Sequence, residues 1–185
     1  MPGIVLTPHL GASTIEAQIG VSVDVAEGIR AALRGEPVTA AVNMAPVSKE
    51  VMRVIRPYIT LAEQLGCTAC SLAEGPVSDV EVIYNGEITE VNTSFLTTAI
   101  LKGMLNPILE SEINYVNAPG VAKSRGIKVK EIKEKETSHF STLITVRVTA
   151  ADKTSEVQGT LFGTEGRIVR INRDRKSTRL NSSHW

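Results

Sequence analysis

LITVRVTAADKTSEVQGTLF, residues 143–162, holds two strand-length runs, Leu143 to Val148 and Val157 to Phe162, rich in the β-branched side chains that suit a pleated, half-buried surface. Ile127 to Ile132 precedes them and Arg167 to Ile171 follows, so the C-terminal half reads as a succession of strands. Upstream, Val80, Val82 and Tyr84 alternate with Glu81 and Ile83, and Asn85-Gly86 predicts a hairpin returning through Ile88 to Val91. Ile113 to Val116 reads as one more short strand.

Helical patterns lie among these runs. One region starts near Ser48, is interrupted at Pro57, and continues through Ile59, Leu61, Ala62, Leu65, Ala69 and Leu72 to the breaker Gly75-Pro76. Ser94 caps a helix carrying Leu96, Ile100, Leu101, Met104 and Leu105, which Pro107 ends. A brief helix runs from Pro119 to Arg125 and stops at Gly126. Residues 46–173 are therefore expected to form an α+β domain with a mixed or antiparallel sheet and packed helices, large enough to bury its own core.

Residues 1–45 are organised differently. Gly3 to Thr7 reads as a short buried strand entering a loop at Pro8, and Ser13-Thr14-Ile15-Glu16 has the form of a capping box. Ile15, Ile19, Val23, Ala26, Ile29 and Leu33 recur every three or four residues, which predicts a long amphipathic helix stopped by Gly35 and Pro37. Val38 to Pro46 suits a connector between domains. A lone strand has no sheet to join, so Met1 is expected to be an internal methionine of a longer reading frame.

The end of the chain changes character at Asp174. Asp174 to His184 reads as the translation of a sequencing-adapter end, so 174–185 are set apart as a non-native tail and the natural sequence is expected to stop near Arg173. Charge shifts with it. The whole chain has 20 Lys+Arg and 20 Asp+Glu; Arg175, Lys176 and Arg179 against Asp174 lie in the tail, leaving 17 basic and 19 acidic residues before it. A balance this near neutrality argues against broad nucleic-acid binding or adhesion to an anionic membrane. No apolar run has the ~18–20 residues of a membrane-spanning helix, and no basic leader opens the chain, so a cytoplasmic protein is expected.

Few residues carry obvious chemistry. His9 follows an apolar strand and precedes Gly11 and a capped helix, where it can serve as an acid or base near neutral pH or stand as an ordinary polar loop residue. Cys67 and Cys70 fall inside a helical pattern with no second pair to complete a zinc site, so they read as small buried side chains and no metal is expected. His139 reads as a solvated loop residue. Lys123, Arg125, Lys128, Lys130, Arg147, Arg167 and Arg170 form either a solvated strand face or, in part, a pocket for a small anion. No G-x-G-x-x-G and no P-loop occurs.

Leu6-Thr7-Pro8-His9-Leu10-Gly11-Ala12-Ser13-Thr14 with Glu16-Ala17-Gln18 resembles the D-3-phosphoglycerate dehydrogenases of the NAD-dependent 2-hydroxyacid dehydrogenase superfamily. The likeness extends through Gly35-Glu36-Pro37-Val38, Pro57-Tyr58 with Leu61-Ala62-Glu63, Thr93-Ser94, and Val116-Asn117-Ala118-Pro119 to Gly159-Thr160 and Arg167-Ile168-Val169. It points to the long form, in which an intervening, allosteric substrate-binding-type domain follows the catalytic region. Residues 1–45 would then be the last strand, catalytic loop and return helix of a truncated Rossmann-type α/β region.

The resemblance implies that His9 is the catalytic acid/base and that it and Leu10, Gly11 and Ala12 lie against NAD. It implies oxidation of 3-phospho-D-glycerate to 3-phosphooxypyruvate in serine biosynthesis, by a homo-oligomer. The glycine loop and other catalytic residues of the family precede this histidine, so the chain alone is expected to be inactive. Lys123, Arg125, Lys128, Arg147, Arg167 and Arg170 would form the effector site for a small anion. Two alternatives stand beside this reading: another 2-hydroxyacid dehydrogenase, such as a glyoxylate or hydroxypyruvate reductase, and a stand-alone regulatory module that binds an anion or effector.

Overall fold

The computed structural model describes residues 3, 7–8, 10–34, 47–109, 112–136, 140–151 and 153–172. The chain divides into two compact units, Met1–Pro46 and Val47–Trp185. In the first, helix α1 spans Ile15–Leu33 and none of its residues is buried. Its cap sits one residue later than the S-x-x-E pattern suggests: the Thr14 hydroxyl accepts from the Ala17 amide at 3.2 Å, while Ser13 turns back to donate to the Leu10 carbonyl at 2.7 Å. The strand expected at Ile4 to Leu6, His9 and the connector 35–46 lie outside the described residues.

The second unit opens with helix α2, Lys49–Ser71, whose N-cap Ser48 accepts from the Val51 amide. The expected interruption at Pro57 does not occur. Pro57 stands on the exposed side of a continuous helix, where its missing N–H costs one hydrogen bond to a carbonyl that water can satisfy. Strand β1 (Val77–Gly86) follows, then a 3-10 turn (Glu87–Glu90), helix α3 (Ser94–Leu105), a second 3-10 turn (Asn106–Ile108) and helix α4 (Ala118–Ser124). Strands β2 (Lys128–Glu134), β3 (Thr142–Ala150), β4 (Lys153–Phe162) and β5 (Glu165–Ile171) complete it.

The sheet is mixed, in the order β2-β1-β3-β4-β5, with β1 and β2 parallel and the other pairs antiparallel. Two strand expectations are corrected by it. The hairpin at Asn85-Gly86 is absent: β1 takes its antiparallel partner from β3, Asn85 lies opposite Leu143, and Ile88 is buried in the 3-10 turn. Residues Ile113 to Val116 form a loop closed by reciprocal side-chain bonds, with Asn114 Oδ1 accepting from the Val116 and Asn117 amides and Asn117 Oδ1 from that of Asn114.

The helices lie on one face of the sheet. Val80, Val82, Tyr84, Ile144, Val146, Val148 and Val157 point toward them and are essentially inaccessible to solvent. Helix α2 rests on a floor of glycines: a Cβ on Gly166 would stand 2.8 Å from Leu61 Cβ, and one on Gly159 2.8 Å from Leu61 Cδ1. Helices α2 and α3 meet as closely. A Cβ on Gly66 would stand 2.0 Å from the Ile100 carbonyl oxygen, and one on Gly103 2.1 Å from that of Glu63. Four glycines thus set the spacing of the layers.

Candidate functional site

The loop that enters α1 is the first place where the sequence suggests chemistry. His9 lies outside the described residues, so its contacts form no part of the site's geometry. Its neighbours Pro8 and Leu10 are exposed, and Ala12 takes the left-handed backbone conformation, φ +56°. That turn, held by the Ser13 bond to Leu10, delivers the chain to the capped start of α1. A helix start presents amides without intrahelical partners and a partial positive charge, which favour an anionic group placed there.

The basic residues of the second unit are dispersed. Arg147 is at the centre of the helix-free face, where its Nε donates to Glu156 Oε2 at 2.7 Å and its Nη1 to Glu81 Oε2 at 2.8 Å. Lys130 approaches the other Glu81 oxygen at 3.4 Å. Strand register makes these residues one row of alternating charge, Lys130–Glu81–Arg147–Glu156, across four strands. The hydrogen bond from Arg147 holds the Glu81 carboxyl below its ordinary value, and the bond to Glu156 raises the guanidinium further.

Lys128 and Arg147 line a common hollow with Lys130, beside Asp79 and Glu81. Lys123 and Arg125 sit at the C-terminal end of α4, where cations complement the helix dipole. Arg167 and Arg170 lie on β5, Arg167 paired with Glu165 and stacked over the Phe162 ring. Lys128 and Arg170 stand on opposite edge strands, four inter-strand steps or about 19 Å apart at the backbone. Sheet order separates the members of the expected six-residue anion pocket, and two carboxylates already engage Arg147.

Two polar clusters escaped sequence reading. The Thr93 and Thr97 hydroxyls donate to Glu131 Oε1 and Oε2 at 2.5 and 2.6 Å, so the buried Tyr84 hydroxyl, 2.9 Å from Thr97 Oγ1, donates to it. Burial pushes the Tyr84 phenol well above its usual value. Glu63 Oε1 accepts from Lys102 at 2.8 Å and from the Tyr115 hydroxyl at 2.5 Å, with the ammonium over the Tyr115 ring. Burial, then Glu63, raises the Tyr115 phenol. Only the placement of Thr and Glu at alternating and helical spacing hinted at these pairings.

Cys67 and Cys70 are free thiols of intermediate exposure within α2, and burial, then the neighbouring Cys67, raises that of Cys70. No cluster of three or more His, Cys, Asp or Glu side chains able to hold a metal occurs among the described residues. Nor is any described helix long and apolar enough to cross a membrane. His139 lies outside the described residues, as does the segment 174–185.

The sequence profile described as "D-3-phosphoglycerate dehydrogenase intervening domain" matches residues 54–172. The D-3-phosphoglycerate dehydrogenase of Archaeoglobus fulgidus is 39% identical over 171 residues, 92% of this chain and 32% of that protein. That of Bacillus subtilis is 40% identical over 172 residues, 92% of this chain and 33% of that protein. The protein named D-3-phosphoglycerate dehydrogenase 3, chloroplastic, of Arabidopsis thaliana is 45% identical over 132 residues, 69% and 22% of the two chains. The chain spans about a third of the length of the first two of these curated relatives.

Proposed function

The chain belongs to the D-3-phosphoglycerate dehydrogenase intervening-domain family, and from that premise we propose that it corresponds to the third of such an enzyme that carries the acid/base histidine and the domain behind it. One observation supports the reading above the others. Similarity to the relatives covers 92% of the chain, more than residues 54–185 can hold, so it runs back through α1 toward the His9 loop.

In the proposed reaction the enzyme oxidises 3-phospho-D-glycerate to 3-phosphooxypyruvate. His9 takes the proton of the 2-hydroxyl as hydride leaves the same carbon, a task suited to an imidazole that titrates near neutral pH. NAD, when bound, accepts the hydride. Leu10, Gly11 and Ala12 would pass beside the nicotinamide, with Gly11 allowing close backbone approach and the left-handed Ala12 turning the chain into α1. The reaction is placed in serine biosynthesis, in the cytoplasm, within a homo-oligomer.

For the second unit we propose an effector role, with Lys123 and Arg125 as the basic residues best placed for a small anion. They are two apart in sequence and neither makes an ion pair among the described residues. Raised thermal stability in inorganic phosphate, lost in Lys123→Ala/Arg125→Ala, would support that role.

The test of the whole reading is a chimera. Residues 1–172 replace the matching third of the Bacillus subtilis relative, and NADH formation from 3-phosphoglycerate is followed. Activity that His9→Gln abolishes while circular dichroism stays unchanged is expected. A folded chimera that makes NADH equally well with Gln at that position would overturn the role of His9.

A further inference from the structure

The helix-free face of the sheet contains a hollow of about 670 Å³. Its floor is aliphatic: Ile132, Ile83 and Thr145 are register neighbours across β2, β1 and β3, with Leu143 one step along β3. Glu134 and Glu136 line it toward one edge, and Glu81, Arg147 and Gln158 line it toward the middle of the sheet. Three carboxylates and one guanidinium give the lining a formal charge of −2.

The hydrogen-bonding capacity left over in this hollow is mostly that of an acceptor. Thr145 is 3% exposed, yet its hydroxyl makes no hydrogen bond among the described residues. Gln158 spends its Nε2 on Glu156 Oε1, leaving Oε1 open, and Glu134 receives Asn85 Nδ2 through Oε2 alone. The Glu136 carboxylate has no partner among the described residues, while its backbone carbonyl is held by Asn85 at 3.2 Å. Thr142 Oγ1 is the buried side-chain atom left without a partner among the described residues, so the Thr145 hydroxyl, equally without one, keeps contact with the hollow.

We propose that the hollow binds a linear aliphatic diamine dication, one ammonium at Glu134 and Glu136, the other at Thr145 and Gln158, with the carbon stem along Ile83 and Leu143. Glu134 and Thr145 lie on strands two steps apart, about 10 Å at the backbone, with Gln158 beside Thr145 on the next strand, and side chains reaching inward shorten the gap to the span of a short diamine. The charges cancel, and the stem covers apolar floor that water otherwise wets. This site is independent of the dehydrogenase reading.

Isothermal titration of the full chain with tetramethylenediamine tests it, with butylamine as the single-charge comparator. The diamine should bind about tenfold tighter or better, and added salt should weaken it. Glu136→Gln and Thr145→Val should each weaken it several-fold, while the remote Glu165→Gln leaves it unchanged. Since the Thr145 hydroxyl has no partner to lose, Thr145→Val should keep or raise the melting temperature, which separates loss of binding from loss of fold. No binding, equal affinity for both amines, or indifference to both variants would overturn the site. A lysine-bearing tripeptide that outcompetes the diamine would also overturn it, assigning the hollow to a protein side chain.

Discussion

Gly66 and the Ile100 carbonyl face each other so closely that a Cβ on the glycine would stand 2.0 Å from that oxygen. Backbone, not a yielding side chain, occupies the space. Gly66→Ala must push α2 and α3 apart or bend one of them, and a loss of about 1–3 kcal/mol or more is expected. Gly120 of α4 has open space where a Cβ would stand, with nothing within 4 Å, so Gly120→Ala is expected to be neutral or stabilising by up to ~1 kcal/mol. Thermal melts of the two variants check the contrast.

The row centred on Arg147 gives a pH dependence with a fixed sign. The Glu81 carboxyl is held below its ordinary value, first by the Arg147 hydrogen bond. Its contribution to stability is therefore present above the ordinary carboxyl value and lost as pH falls through the lowered one. Both side chains are partly exposed, 41% for Arg147 and 27% for Glu81, so about 1 kcal/mol or less is at stake. Arg147→Met should melt below the unmodified chain at neutral pH, and the gap should close in acid. A gap of constant size from neutral pH to below the carboxyl range would refute the assignment.

Thr97 relays between a buried phenol and a carboxylate. Thr97→Val leaves the Tyr84 hydroxyl buried without its partner and is expected to cost about 1–3 kcal/mol. Thr97→Ser keeps the relay and should cost less. Tyr84→Phe combined with Thr97→Val should recover part of the loss, since no orphan hydroxyl remains, and denaturant titration of the set measures the coupling.

The chain alone is expected to form no NADH from 3-phosphoglycerate, because its 185 residues contain no G-x-G-x-x-G to hold a dinucleotide. Absorbance at the nicotinamide band in the presence of NAD and substrate checks it.

The strands of the second unit were legible because their signal is local: β-branched runs at 143–148 and 157–162 became the middle of β3 and the C-terminal part of β4. The hairpin at Asn85-Gly86 misled for the complementary reason. A turn signal records only what neighbours in sequence prefer, whereas β1 is paired by β3, some sixty residues later, and by β2. Pro57 misled because its cost depends on which way the helix faces, and the sequence does not state that it faces water. Arg147 was singled out as a candidate anion ligand, but its partners in the fold are Glu81 and Glu156, which come from two other strands. Basic residues that looked like one group are divided by a strand order that no local pattern encodes.

That strand order gives several of the same cations another use. β2 and β5 end the sheet, and an open edge offers unpaired amides and carbonyls on which a foreign strand can add. Lys128, Lys130 and Lys133 stud one edge strand and Arg167 and Arg170 the other. A second molecule docking edge to edge would have to desolvate these charges and bring like against like wherever equivalent edges meet. Neutralising the lysines of β2 is thus a route to fibrous or amorphous aggregation of a domain whose interior remains unaltered.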